Sequence, residues 1–180
     1  MCGIVGFIND KDNKKAIVND MMDRIVHRGP NSSGDYIDQH VALGFRRLSI
    51  IDLEGGKQPI YNEDRTKVII FNGEIYNYQP LREELIAAGH IFQTHADTEV
   101  LLHGYEEWGT DLLQKVRGMF AFAIWDNKRN ELFGARDHFG IKPYYYAEMN
   151  GTFMFGSEIK SFLPHPDFHK ELNKEALKPY

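Results

Sequence analysis

Cysteine is nearly absent from this chain of 180 residues: Cys2 is the only one. A single thiol cannot close an internal disulfide. That excludes a disulfide-stapled secreted domain and favours a reducing compartment, the cytoplasm being the expectation. No apolar run approaches the ~20 residues of a membrane-spanning helix, and no basic region followed by an apolar core and a cleavage site opens the chain. A field of one sign is also lacking. The 21 Lys and Arg are interspersed with 26 Asp and Glu for a net charge of −5, so neither nucleic acid nor a membrane surface is expected as a partner. The sequence has no glycine-rich phosphate loop of the GxGxxG or GxxxxGK kind and no serine on a GxSxG turn. Its eight histidines show no metal-ligand spacing; His165 and His169 are four apart, but Pro166 lies between them, and no metal is assigned.

What is present is a foldable apolar pattern. With 42% hydrophobic and 13% aromatic residues, disorder is excluded and one globular domain with a sizeable core is expected. Residues 3–8 read as a strand. Ile17, Met21, Met22, Ile25 and Val26 recur at helical spacing before Gly29-Pro30. Strands follow at Tyr36-Ile37, Val41 to Phe45, Val68 to Phe71, Ile91 to Gln93, Met119 to Trp125 and Glu131 to Ala135. A helix opens near Pro80, carries Leu81, Leu85 and Ile86 and closes at Gly89; another begins at Asp97 as its N-cap. A last hairpin pairs Tyr144–Tyr146 with Phe153–Phe155 through Asn150-Gly151, and Ser157 is placed to cap a short helix. Runs of strands with helices between hairpins indicate an α+β fold of mainly antiparallel sheets. Several strands are apolar at successive positions, so both faces of each sheet should be covered.

Cys2 opens that first strand and sits directly behind Met1. Removal of Met1 would leave a thiol and a free α-amine on one residue, a nucleophile carrying its own base. Read alone, Cys2 is more simply a small buried apolar residue that happens to be second. Four further segments hold polar residues that a simple core does not need. Arg47 ends an apolar strand; it could clamp a carboxylate or lie on the surface with its stem over apolar area. Asn72-Gly73 is first a hairpin turn, but an amide beside a glycine N–H also offers two donors for an oxyanion. Asp97 is a cap or a carboxylate for an ammonium group. Arg136 to Pro143 reads as a turn with a satisfied ion pair.

Taken in order, Met1-Cys2-Gly3-Ile4, His27-Arg28-Gly29-Pro30, Arg47-Leu48-Ser49-Ile50-Ile51-Asp52, Phe71-Asn72-Gly73-Glu74-Ile75-Tyr76-Asn77 and Arg136-Asp137-His138-Phe139-Gly140-Ile141-Lys142-Pro143 resemble the glutaminase domain of class II glutamine amidotransferases, which are N-terminal nucleophile hydrolases. Within that family the wording around residues 48–52 and 72–77 is similar to glutamine-dependent asparagine synthetases. The resemblance implies a four-layer α-β-β-α sandwich. It also implies Cys2 as nucleophile, Asn72 and Gly73 as oxyanion hole, and Arg47 on the substrate α-carboxylate. Asp97 with Glu74 would take the α-ammonium, and backbone groups of Ile50 and Ile51 would position glutamine. Residues 1–166 would form the amidotransferase domain and residues 167–180 would begin the connection to an ATP- and Mg²⁺-dependent synthetase domain. The fragment itself would need no cofactor, and a homodimer is the assembly the resemblance suggests. An amidotransferase serving another acceptor, or a scaffold that lost the chemistry, are the alternatives; Cys2, Arg47, Asn72 and Asp97 all carry the competent residue, which argues against the scaffold.

Overall fold

The computed structural model describes residues 1–48, 57–171, 174 and 175. Among these, strands β1 (Gly3–Ile8), β2 (Ser32–Ile37), β3 (Val41–Arg47), β8 (Tyr145–Met149) and β9 (Thr152–Gly156) form one antiparallel sheet in the order β2-β3-β1-β9-β8. Strands β4 (Ile60–Tyr61), β5 (Lys67–Ile75), β6 (Gly118–Asp126) and β7 (Glu131–Arg136) form a second, in sequential order. Helix α1 (Lys14–Asp23) covers the first sheet; α2 (Tyr78–Ala87), α3 (Asp97–Trp108) and the short α4 (Leu112–Lys115) cover the second.

Strand periodicity explains the layering. In β1, Ile4 joins Val41, Leu43 and Phe45 of β3 against Val68, Ile70, Ala121, Ala123 and Trp125 of the other sheet. The alternate residues Val5 and Phe7 face Val18, Met21, Met22 and Ile25 around α1. In β5 and β6 the alternate set, Ile69, Phe71, Phe122 and Ile124, meets Leu81, Leu85, Val100 and Leu101 of α2 and α3. Continuous apolar runs were thus required in β1, β3, β5 and β6, which are buried on both sides. The architecture is the expected α-β-β-α sandwich.

Local departures have identifiable causes. Asn72-Gly73 does not turn: β5 runs through it, with Asn72 opposite Ala121 and Gly73 opposite Phe120. A Cβ on Gly73 would lie 2.2 Å from the Met119 carbonyl oxygen, so the glycine serves close strand approach rather than a turn. Asn150-Gly151 does turn, with φ of 52° and 75° at its two residues, the type I′ geometry. Ile91 to Gln93 forms no strand; Ile91 is exposed, and the backbone N–H of Gln93 is taken by the Glu99 carboxylate. The helix expected through Ile25 and Val26 ends at Asp23 and tightens into a 3-10 turn at Val26–Arg28. Ser157 caps nothing; its hydroxyl accepts the Ile4 N–H at 3.0 Å, and the Ser157 N–H returns a bond to Ile4 O at 2.8 Å.

Candidate active site

The starts of β1 and α3 and the far end of β5 converge on a cleft of about 630 Å³ lined by Cys2, Asn72, Gly73, Glu74, Asp97 and Lys142, among others. β1 delivers Cys2 because Gly3 pairs with Arg46, which carries the preceding residue alongside the end of β3. The thiol accepts the Leu48 N–H at 3.4 Å. Two further contacts hold this end of β1. Arg28 donates from Nε to the Cys2 carbonyl at 3.0 Å and from Nη1 to Glu158 at 3.2 Å, while Ser157 brackets Ile4. Met1 lines the same cleft; its thioether sulfur accepts from the Lys142 ammonium at 3.4 Å.

The β5 edge supplies donors by a simple parity. The N–H and C=O of Phe71 are both taken by the Gln58 side chain, at 2.6 and 3.1 Å, on the edge away from β6. Pro59, which has no N–H, stands between Gln58 and β4, so the side-chain amide replaces a strand partner here. The N–H of Ile75, four residues on and on the same edge, is accepted by Asp97 Oδ2 at 2.8 Å. Gly73 lies midway, and its N–H points to that edge as well. Its opposite number Phe120 directs both backbone groups to Asp137 instead. Gly73 therefore presents a free N–H to the cleft, and beside it the Asn72 Nδ2 is buried without a hydrogen-bond partner among the described residues. A buried unpaired amide costs on the order of 1–3 kcal/mol, a cost that an acceptor bound in the cleft would remove.

Asp97 is the first residue of α3 rather than its cap, and its carboxylate is spent on β5. Burial pushes its pKa above the ordinary aspartate value, and the neighbouring Glu74 charge adds to this, against the backbone donors that lower it. No ion pair is formed by either carboxylate among the described residues. The pair is suited to a cation entering the cleft. Buried Glu99, two residues on in α3, accepts from the N–H groups of Gln93 and Thr94, both at 2.7 Å, and so fixes the chain leading to His95 and Asp97. Arg47 ends β3 with its side chain largely buried, next to Leu48, though it is not itself among the residues lining the cleft. Ile50 and Ile51 lie outside the described residues.

The segment Arg136 to Pro143 holds no internal ion pair. The Asp137 carboxylate instead accepts backbone N–H bonds from Phe120, Phe139, Ile141 and Lys142, and the Arg136 guanidinium donates to Gly140 O. Burial alone would raise the Asp137 pKa, but these donors together lower it. The knot this makes carries Lys142 into the cleft. Arg28, Gln58 and Asp137 are the supporting residues that sequence reasoning left without roles. The signal for each was faint: one polar side chain beside an apolar strand end.

A family model described as "Glutamine amidotransferase domain" matches residues 1–180. Among curated relatives, asparagine synthetase [glutamine-hydrolyzing] 1 of Bacillus subtilis is 50% identical over 100% of this chain and 29% of its own length. Asparagine synthetase [glutamine-hydrolyzing] 3 of the same organism is 46% identical over 98% of this chain and 30% of its own. The chain thus spans about 30% of the length of these relatives. Among solved structures, the glutamine phosphoribosylpyrophosphate amidotransferase of B. subtilis, determined with ADP and GMP, superposes with a TM-score of 0.75 at 22% identity, covering 89% of this chain and 43% of that one. That likeness speaks for the fold alone.

Proposed function

The chain belongs to the glutamine amidotransferase family, and from that membership we propose that it hydrolyses glutamine to glutamate and ammonia through a thioester on Cys2. The observation that carries the assignment of roles is the pair of unspent donors, Asn72 Nδ2 and the Gly73 N–H, in the cleft that also holds the Cys2 thiol. Once Met1 is removed, the freed α-amine of Cys2 accepts the thiol proton. The sulfur adds to the γ-carbonyl carbon of glutamine, and the negative oxygen of the tetrahedral intermediate rests on the two donors. The C–N bond then breaks, the amine returns its proton, and ammonia leaves. Water adds to the thioester by the same route, releasing glutamate and restoring the thiol. Arg47 is assigned to the substrate α-carboxylate, Asp97 with Glu74 to the α-ammonium, and the backbone of Ile50 and Ile51 to its positioning. A cation and an anion at fixed spacing select an amino acid over a simple amide.

We further propose that the ammonia feeds an ATP- and Mg²⁺-dependent amidation of aspartate in a longer protein, because the relatives named above are glutamine-hydrolysing asparagine synthetases that this chain covers in part. Residues 1–166 are assigned to the amidotransferase and residues 167–180 to the connection. A cytoplasmic location and a homodimeric assembly of the longer protein belong to the same proposal. No helix among the described residues is long and apolar enough to cross a membrane.

The test is an intact mass spectrum after exposure to diazo-oxo-norleucine, an electrophile that mimics glutamine. A chain lacking Met1, carrying one adduct that is lost in Cys2→Ala, is the expected result. A chain that lacks Met1 and stays unmodified would overturn the proposal. A chain that retains Met1 is expected to stay unmodified and to become reactive after treatment with methionine aminopeptidase.

A further inference from the structure

About 9 Å along α3 from Asp97 lies a cluster that glutamine hydrolysis does not use. His103 is buried on that helix. Its Nδ1 stands 2.9 Å from Glu106 Oε2 and 3.8 Å from Glu63 Oε2. His90, in the connection between α2 and α3, brings Nδ1 to 3.9 Å from the same Glu106 oxygen. One ligand atom from each of Glu63, His90 and His103 lies within 4.8 Å of the others. A tetrahedral Zn²⁺ with bonds of about 2.0–2.1 Å sets its ligands about 3.3 Å apart, so shifts of about an ångström or less gather these atoms on one ion. Three separate pieces of chain meet here: the β4–β5 turn, the α2–α3 connection and α3. The scattered spacing of residues 63, 90, 103 and 106 is why no ligand pattern shows in the sequence.

The other atoms of His90, Glu63 and Glu106 are already held, while His103 Nε2 makes no hydrogen bond among the described residues. His90 Nε2 meets Glu107 Oε2 at 3.2 Å, and His103 Nε2 faces Glu99 Oε1 at 3.5 Å. A carboxylate on the far nitrogen is how proteins fix the tautomer and orientation of a metal-binding imidazole. Glu63 Oε1 accepts the Ile91 N–H at 3.1 Å, and Glu106 Oε1 accepts the Asn62 amide at 2.7 Å. Lys67 Nζ stands 3.6 Å from Glu106 Oε1, beside the carboxylates of Glu63, Glu99 and Glu107 that gather around the two imidazoles. The edge of the cluster is open, because Glu63 is exposed and His90 half-buried, so an ion can enter without unfolding.

We propose that Glu63, His90, His103 and Glu106 form a structural site for a divalent transition metal of the Zn²⁺ kind. Two imidazoles and two carboxylates are borderline and hard ligands that suit Zn²⁺ over Mg²⁺ or Ca²⁺. The ion would pin the β4–β5 turn to the connection that ends at His95 and Asp97, and so brace one wall of the cleft.

The experiment is a titration of the tag-free, chelator-stripped chain with Zn²⁺ by calorimetry, and with Co²⁺ by visible absorption. One equivalent should bind at micromolar affinity or better, with the intense d–d bands of tetrahedral Co²⁺. Because removing buried His103 risks the fold, the variants are His90→Ala and Glu63→Gln, with an unchanged circular dichroism spectrum as the control. Each should weaken Zn²⁺ by about tenfold or more, and Glu107→Gln should weaken it less. No saturable binding up to on the order of 100 µM would overturn the site, as would His90→Ala binding undiminished. Binding lost instead in Cys2→Ser would put the ion on the thiol and equally overturn it.

Discussion

At the residue scale, the division of labour in the cleft makes separable predictions. Asn72→Ala removes one of two oxyanion donors and is expected to lower kcat by about 10²–10³ with little change in KM, which steady-state glutaminase kinetics would show. Asp97 should behave oppositely. Its folded-state pKa is raised by burial and by Glu74, so its ionised form costs stability in the free protein. That cost is absent below the ordinary aspartate range and grows as pH rises through the raised value. Urea melts of wild type and Asp97→Asn across this range should therefore diverge, the variant gaining relative stability towards neutral pH. Glutamine affinity should run the other way, weakening as pH falls through the same value, because the protonated acid no longer attracts the ammonium group. A flat affinity profile down to about pH 4 would remove Asp97 from that role. These residues were legible before the fold was known, but only through resemblance. Alone, Arg47, Asn72 and Asp97 each had an ordinary structural reading, and Asp97 does spend one oxygen on the Ile75 N–H.

At the scale of elements, two identical dipeptides show what local sequence can and cannot decide. Asn150-Gly151 and Asn72-Gly73 carry the same turn signal, yet the first turns and the second stays extended. The difference is tertiary. β5 pairs with β6 over nine positions, from Lys67 to Ile75, and the register holds Asn72-Gly73 straight. Strand existence was therefore readable from apolar runs, while the end of β5 was not. The same reasoning explains the absent strand at residues 91–93, where a buried carboxylate from α3 satisfies the backbone in place of a sheet neighbour. Substitution separates the two glycines. Gly151→Ala should cost about 1 kcal/mol through its positive φ and leave glutaminase kinetics unchanged. Gly73→Ala drives a Cβ towards the Met119 carbonyl and should cost on the order of 1–3 kcal/mol while also lowering kcat, since it displaces the N–H donor. Chemical denaturation beside activity would distinguish the pair.

Over the whole molecule, carboxylates tie distant parts of the chain together. Asp167 accepts from Lys11 and from Thr152, and Glu158 joins Arg28, His27 and Lys160. Lys11 is the leading cause of the lowered pKa of Asp167; for Glu158, burial opposes a lowering that its hydrogen bonds to His27, Lys160 and Arg28 nonetheless achieve. Depressed carboxylate pKa values contribute stability that is present above about pH 4 and lost as pH falls through the lowered values. The urea midpoint should accordingly drop on acidification below that point, and Asp167→Asn should flatten part of the slope. The layered sandwich itself was readable from doubly buried strands; the ties from Lys11 to Asp167 and from Arg28 to Glu158 were not, because each joins residues more than a hundred positions apart. Among the described residues no strand pairs with β5 at Gly73 on the edge away from β6, and this has a last consequence for how the fold can change over time. β4 is two residues long, and its pairing ends with Ile60 opposite Ile69, four positions short of Gly73. Any variant that let β4 grow towards Gly73 would add ladder bonds and protect an open edge, and selection for robustness alone would favour it. It would also consume the one backbone donor on which the proposed chemistry depends. Function in this lineage is thus kept by leaving the sheet unfinished, and its most stable descendants need not be its most active ones.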